Sequence, residues 1–128
     1  MLVSLSIPIC QLSDILTSEF DKKSNNYQLW THNATIKKDI DIVSYIKEIQ
    51  NQGAGEIIIN SIDQDGMMTG YDLNMINYFK QYISIPLSIV GGAGSIGHIQ
   101  SAIDKFGLIG ASAGSLFIFK GPYRAVLI

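Results

Sequence analysis

The chain contains one cysteine, Cys10, and two histidines, His32 and His98, among its 128 residues. A lone thiol builds no internal disulfide framework, and so small a stock of soft ligands builds no zinc site within the chain. Charged residues are also scarce, at 16% with a net charge of −2, and no Lys/Arg cluster exceeds a pair such as Lys37–Lys38. A nucleic-acid surface, which needs a basic patch or stripe, is therefore not expected. No apolar stretch reaches the roughly 18 residues that cross a bilayer, so no membrane segment is expected either. Met1–Cys10 is apolar, but it lacks a basic leading region and Pro8 interrupts it, so it reads as a strand and not as a signal segment. A reducing, cytoplasmic setting fits this composition.

What the chain has is apolar bulk. Hydrophobic residues make up 47%, which suits one buried, strand-rich domain over residues 1–128. Leu2–Ile9 alternates and is partly β-branched, as a strand is. Gln11–Asn26 is polar and turn-rich and reads as a long exposed loop, with Tyr27–Thr31 as a short extra strand after it. Asp39 and Asp41 are both candidate caps for a helix running to about Gln52, with Ile42, Ile46 and Ile49 in its apolar stripe and Gly53 as its left-handed stop. Glu56–Ile62 is a compact apolar run that suits a strand buried on both faces. Asp63–Tyr71 reads as a loop, and Asp72 as the cap of a second helix carrying Leu73, Ile76, Phe79 and Tyr82. Ile85–Val90 is the next strand. Ser95 caps a third helix whose Ile96, Ile99, Ala102, Ile103 and Phe106 share a face, and Leu108–Ala113 is a fourth strand leading to a short helical turn.

Alternating strands and helices predict parallel strands. An open doubly wound sheet carries its glycine-rich loop after the first strand, whereas here the glycines follow the last strands. Phosphate sites after strands 7 and 8, beside a short extra helix, belong to the (β/α)8 barrel of about 250 residues. The expected fold is α/β, with four βα units that form strands 5–8 of such a barrel.

Two glycine turns carry the strongest chemical signal. At Gly91-Gly92-Ala93-Gly94-Ser95 a strand ends, side chains disappear and a helix begins, so backbone N–H groups can approach an oxyanion where helix partial charge favours it. Ala113-Gly114-Ser115 repeats the arrangement one unit later and adds a hydroxyl. Two adjacent nests suit one phosphate. Asp63-Gln64-Asp65-Gly66 follows another strand on the same side, where two acids can bind substrate hydroxyls or act as acid and base. A cation is not expected there, because Gly66 comes too early for a calcium loop and Met67-Met68 supply no ligands. His98, one turn into its helix, reads as a surface residue, Cys10 as packing, and Trp30 as an anchor for its segment.

Together these runs resemble one family. Gly53-Ala54-Gly55-Glu56 through Asp63-Gln64-Asp65-Gly66, then Gly70-Tyr71-Asp72, Gly91-Gly92-Ala93-Gly94 and Ala113-Gly114-Ser115, look like the C-terminal half of the cyclase subunit of imidazole glycerol phosphate synthase, of histidine biosynthesis. The resemblance implies a TIM barrel made of two half-barrels, with no cofactor and no metal. It implies a phosphorylated aminoimidazole carboxamide ribonucleotide as substrate, converted with ammonia to imidazole glycerol phosphate and the aminoimidazole carboxamide ribotide. Gly66, Gly92, Ala93, Gly94, Gly114 and Ser115 are the matching phosphate-side positions, with Asp63 binding substrate beside them and Asp65 as the catalytic acid of the substrate loop. Glu56 matches a charged gate at the barrel's bottom, where ammonia from a glutaminase partner enters. The family's cyclisation uses one aspartate from each half, and here the aligned residue of this half is Ser6. A hydroxyl is a poor general base. The position after Gly66, usually a hydroxyl residue, is Met67. The tail, Gly114–Gly121 and Tyr123–Ile128, is more similar to a paralogous branch found with surface-polysaccharide genes, which implies an ammonia-channelling barrel for acetamidino-sugar formation or a non-catalytic remnant.

A half-barrel leaves two open edges, Leu2–Ile9 and Leu108–Ala113. Unpaired edges recruit other strands, so the expected partner is a complementary N-terminal half-barrel or a second copy of the chain. The apolar end at Val126-Leu127-Ile128 reads as that of a cut chain.

Overall fold

The computed structural model describes residues 17–21, 26–31 and 35–126. The expected strand Leu2–Ile9, with Ser6, and the residues Cys10 and His32 lie outside the described residues. The first described elements are strands β1 (Thr17–Asp21), β2 (Asn26–Thr31) and β3 (Ile36–Lys38), paired antiparallel in the order β1-β2-β3. Thr17 lies opposite Trp30 and Asp21 opposite Asn26. This corrects the expectation of a loop over Gln11–Asn26. The run Thr-Ser-Glu-Phe-Asp looks like a loop because it is polar, but an antiparallel ladder needs only one apolar face. Leu29 of β2 is fully buried and joins the meander to the core.

Helix α1 (Ile42–Asn51) begins where Asp41 accepts hydrogen bonds from the Ser44 N–H at 2.9 Å and the Ser44 hydroxyl at 2.6 Å. Asp39 takes no part in the cap. The helix ends in a paired glycine stop: Gly53, at φ 94°, donates to the Gln50 carbonyl, and Ala54 donates to that of Ile49. Strand β4 (Ile57–Asn60), helix α2 (Leu73–Lys80), strand β5 (Leu87–Val90), helix α3 (Ile96–Phe106) and the two-residue strand β6 (Gly110–Ala111) follow. The strands form a parallel sheet in the order β4-β5-β6, with Ile57 beside Leu87 and Ser88 beside Gly110. Asp72 caps α2 by accepting from the Met75 N–H at 2.8 Å. A four-residue helix, α4 (Ser115–Ile118), leads to an antiparallel pair, β7 (Phe119–Lys120) and β8 (Ala125–Val126).

The core lies between helices and sheet. Ile57, Ile59, Leu87 and Ile89 face Ile42, Ile46 and Ile49 of α1 and Met75, Ile76 and Phe79 of α2 within one buried cluster. The Phe79 ring also meets Tyr27 of β2 at 5.0 Å. The alternate residues Ile58, Asn60, Ser88 and Val90 are only half-buried, so β4 is not buried on both faces as its apolar run suggested. The strand expected over Leu108–Ala113 shrinks to Gly110–Ala111, and Leu108 is 100% exposed. On α3, Ala102 is buried while Ile96 is 74% exposed. That stripe meets the sheet only near its edge strand, with Ile99 and Phe106 half-buried against the core. Three parallel strands and their helices are thus described, not the four βα units expected. Among the described residues no helix is long and apolar enough to cross a membrane.

The cap on α1 yields a test. The two hydrogen bonds from Ser44 hold the Asp41 carboxyl below its ordinary range. Asp41→Ala should lower stability by about 1 kcal/mol at neutral pH. Because the carboxyl titrates lower folded than unfolded, that contribution is complete above the unfolded value and is lost as pH falls through the folded one. Urea midpoints of native and variant protein should differ at neutral pH and converge below about pH 4.

Candidate functional site

Parallel pairing decides where functional groups collect. β4, β5 and β6 run in one direction, so Asn60, Val90 and Ala111 end at the same edge of the sheet. Residues 61–72 leave β4 there, residues 91–95 leave β5, and residues 112–115 leave β6. At that edge Gly70 donates its N–H to the Gly92 carbonyl at 2.7 Å. A Cβ on Gly92 would collide with the Gly70 carbonyl oxygen, and one on Gly94 with that of Met68. The glycines therefore let two backbones touch, a role that their expected approach to an oxyanion did not include.

The N–H groups in this turn have separate fates. Gly94 donates to His98 Nδ1 at 3.1 Å. Gly92 is buried and Ala93 is 4% exposed, and neither N–H has a partner among the described residues. Buried backbone donors are nearly always paired. Gly92 and Ala93, without N–H partners among the described residues and just before the N-terminus of an eleven-residue helix, fit an anion.

The second glycine turn is tied to the first loop. Tyr71 donates its hydroxyl to the Ser112 carbonyl at 2.8 Å, and burial pushes its phenol pKa up. Gly114 is exposed, and Ser115 is half-buried at the start of α4. Asp63 and Asp65 are both exposed. The Asp65 N–H closes a turn onto the Ser61 carbonyl at 2.9 Å, followed by Gly66 at φ 73°. Thr69 donates its hydroxyl to Gln64 Oε1 at 2.9 Å and draws the loop together. Asn60, at the end of β4, keeps a buried Oδ1 without a partner among the described residues.

Glu56 lies at the opposite edge. It accepts a hydrogen bond from the Ser88 hydroxyl, and a Cβ on Gly110 would collide with that hydroxyl. Glu56, Lys80, Ser84, Ser88 and Gly110 line a cavity of about 620 Å³ where the parallel strands begin. The structure thus places Gly66, Gly92, Ala93, Gly94, Gly114 and Ser115 at one edge and Glu56 at the other, with Ser6 outside the described residues. Sequence reasoning missed Tyr71 and Ser88 as polar contacts and Asn60 as a buried acceptor, and it placed His98 on the surface. His98 is half-buried and hydrogen-bonded into the glycine turn. Its spacing three residues after the Ser95 cap was the available signal.

A family model described as "Histidine biosynthesis protein" matches residues 13–123. The chain is 45% identical over 123 residues to the Vibrio vulnificus (strain YJ016) protein named "Putative imidazole glycerol phosphate synthase subunit hisF3", covering 96% of this chain and 45% of that one. A Leptospira borgpetersenii protein named "Putative imidazole glycerol phosphate synthase subunit HisF" is 43% identical over 118 residues, or 91% of this chain and 46% of that one. The Vibrio vulnificus protein named "Imidazole glycerol phosphate synthase subunit hisF1" is 33% identical over 106 residues, or 80% and 41%. The chain spans less than half the length of each of these relatives.

Two glycines separate conformation from crowding. Gly66 and Gly92 both have positive φ, but a Cβ has open space only at Gly66. Gly66→Ala should cost about 1–2 kcal/mol from the left-handed backbone alone. Gly92→Ala should add about 1–3 kcal/mol of overpacking against Gly70. Equal losses in urea unfolding would show that the two loops do not press together.

Proposed function

We propose a function from one premise: the chain belongs to the histidine biosynthesis protein family, a family of TIM barrels. We infer that it supplies the second-half phosphate site of a cyclase barrel, as strands 5–8 of the closed fold. The observation that carries this is the pair of buried, open N–H groups at Gly92 and Ala93, one strand from Gly114 and Ser115. The substrate is a phosphorylated aminoimidazole carboxamide ribonucleotide. Its phosphate accepts from Gly92 and Ala93, with Gly66, Gly94, Gly114 and the Ser115 hydroxyl around it. The turns position the substrate and supply no proton transfer. Asp65 and Asp63, in the loop after β4, are the acids within the site's own loops that address its hydroxyls.

Ammonia from a glutaminase partner enters at the Glu56 edge and travels along the half-buried face of Ile58, Asn60, Ser88 and Val90. Ring closure requires a complementary N-terminal half, which carries the first aspartate, and Ser6 occupies the position of the second. A serine hydroxyl is too weakly basic to replace it. The setting is the cytoplasm.

A second function has its own support. It is the tail resemblance, which points toward a barrel that conducts ammonia to a separate sugar-modifying enzyme and performs no ring closure itself. Loss of the base at Ser6 costs such a conduit nothing.

The two functions separate in an assay of the chain complemented with an N-terminal half-barrel at saturating ammonium. A cyclase that has lost its base gains ring closure on Ser6→Asp by at least about tenfold, within the usual 10²–10⁴ contribution of an acid or base. A conduit gains none, yet still binds a glutaminase in a pull-down. Absence of both ring closure and glutaminase binding would leave the remnant. In the isolated chain, Ser115→Ala should weaken inorganic phosphate binding by about threefold to tenfold, the value of one hydrogen bond. Amide shifts of Gly92 and Ala93 would report that binding.

A further inference from the structure

We propose that His98 is a positioning residue for the anion turn, acting through its neutral imidazole. The inference rests on the anion-binding role given above to Gly92 and Ala93. His98 stands third in α3 and its N–H donates to the Ser95 hydroxyl at 3.3 Å, the ordinary cap bond. Its side chain reaches back and accepts the Gly94 N–H at 3.1 Å. Glutamate or glutamine usually makes such a return bond at this position. Here an imidazole makes a variant of it, one residue further back. A Cβ added at Gly70 would come within 3.7 Å of His98 Cδ2. His98 is therefore bonded to one of the two backbones that meet at the site and stands beside the other.

The consequence is specific. With Nδ1 occupied as acceptor, Gly94 is withdrawn from the ligand, and the donors of Gly92 and Ala93 are held in a fixed fork. A protonated imidazole has no lone pair for Gly94. The turn then loses its brace, although the ring gains a positive charge. The charged groups on the surrounding elements are few. The loop packed on the ring carries Asp63, Asp65 and Asp72, and Arg124 of the tail reaches that loop at the Met67 carbonyl. On α3 itself Asp104 and Lys105 lie in the far turns, and the 91–95 turn carries none.

Sulfate is the probe, since its charge is constant across the range used. Its binding to the full chain is followed by amide shifts of Gly92 and Ala93 from about pH 8 to about pH 5. His98→Ala should weaken binding about fivefold at the upper end, the worth of one lost positioning bond. His98→Gln restores a non-titrating acceptor and should bind within about twofold of the native chain there. The ratio of native to His98→Gln affinity should fall as the solution is acidified. An unchanged His98→Ala, or a ratio that rises because imidazolium charge dominates, overturns the positioning role while leaving the anion site intact. No sulfate binding by the native chain at any pH overturns the anion site, and the role of His98 with it.

Discussion

The contact between residues 61–72 and the turn at 91–95 is the constraint on which the site depends. It is a contact of main chain with main chain: Gly70 donates to Gly92 at 2.7 Å, and the Gly70 and Met68 carbonyls occupy the space that side chains at 92 and 94 would need. Such closeness leaves the turn little room to shift. Gly92 and Ala93, in the middle of that turn, are both buried and their N–H groups have no partner among the described residues. Tyr71 extends the constraint to the third strand through the Ser112 carbonyl. One loop therefore sets the relative position of two glycine turns that are separate in sequence.

The sheet beneath makes that contact possible. Three parallel strands bring three loops to one edge, and the α1 and α2 stripes bury only the helix side of β4 and β5. The other side keeps a polar row, Glu56, Asn60 and Ser88, among aliphatic neighbours. Gln50 holds the bottom edge in place: its amide donates to the Tyr82 carbonyl at 2.9 Å and accepts from the Ser84 N–H at 2.8 Å. The loop before β5 is thereby joined to the end of α1. Both edges of the sheet are thus held by polar ties from neighbouring elements, although no described parallel strand exceeds four residues.

Much of this was legible because it is local. The Asp41, Asp72 and Ser95 caps, the Gly53 stop and the β4 and β5 strands follow from residue type and spacing, and the structure keeps them within a few residues. Features that depend on distant partners were hidden. β1 is a strand only because β2 lies beside it, and its polar letters carry no sign of that. The apolar stripe of α3 is real, yet Ile96 is exposed because the edge of the sheet does not reach it. The tail reads as an apolar run, while its pairing of Phe119 with Val126 depends on Gly121 and Arg124 adopting positive φ. The glycine turns were visible as chemistry, but half of their purpose, the packing against residues 61–72, was not.

The same division bears on binding against catalysis. A phosphate grip made of backbone donors survives many substitutions, because its donors are the chain itself and its requirement is room. A general base is one side chain at one place, and replacing aspartate by serine removes it outright. A barrel that stops turning over substrate can therefore retain its glycine turns, its loop contacts and a polar row along the sheet. The 91–95 turn of this chain keeps its close contacts with residues 61–72. Physical chemistry favours retention of the binding edge and of a conduit over retention of acid/base chemistry. In the proposed function, the position of Ser6 is where cyclase and conduit part.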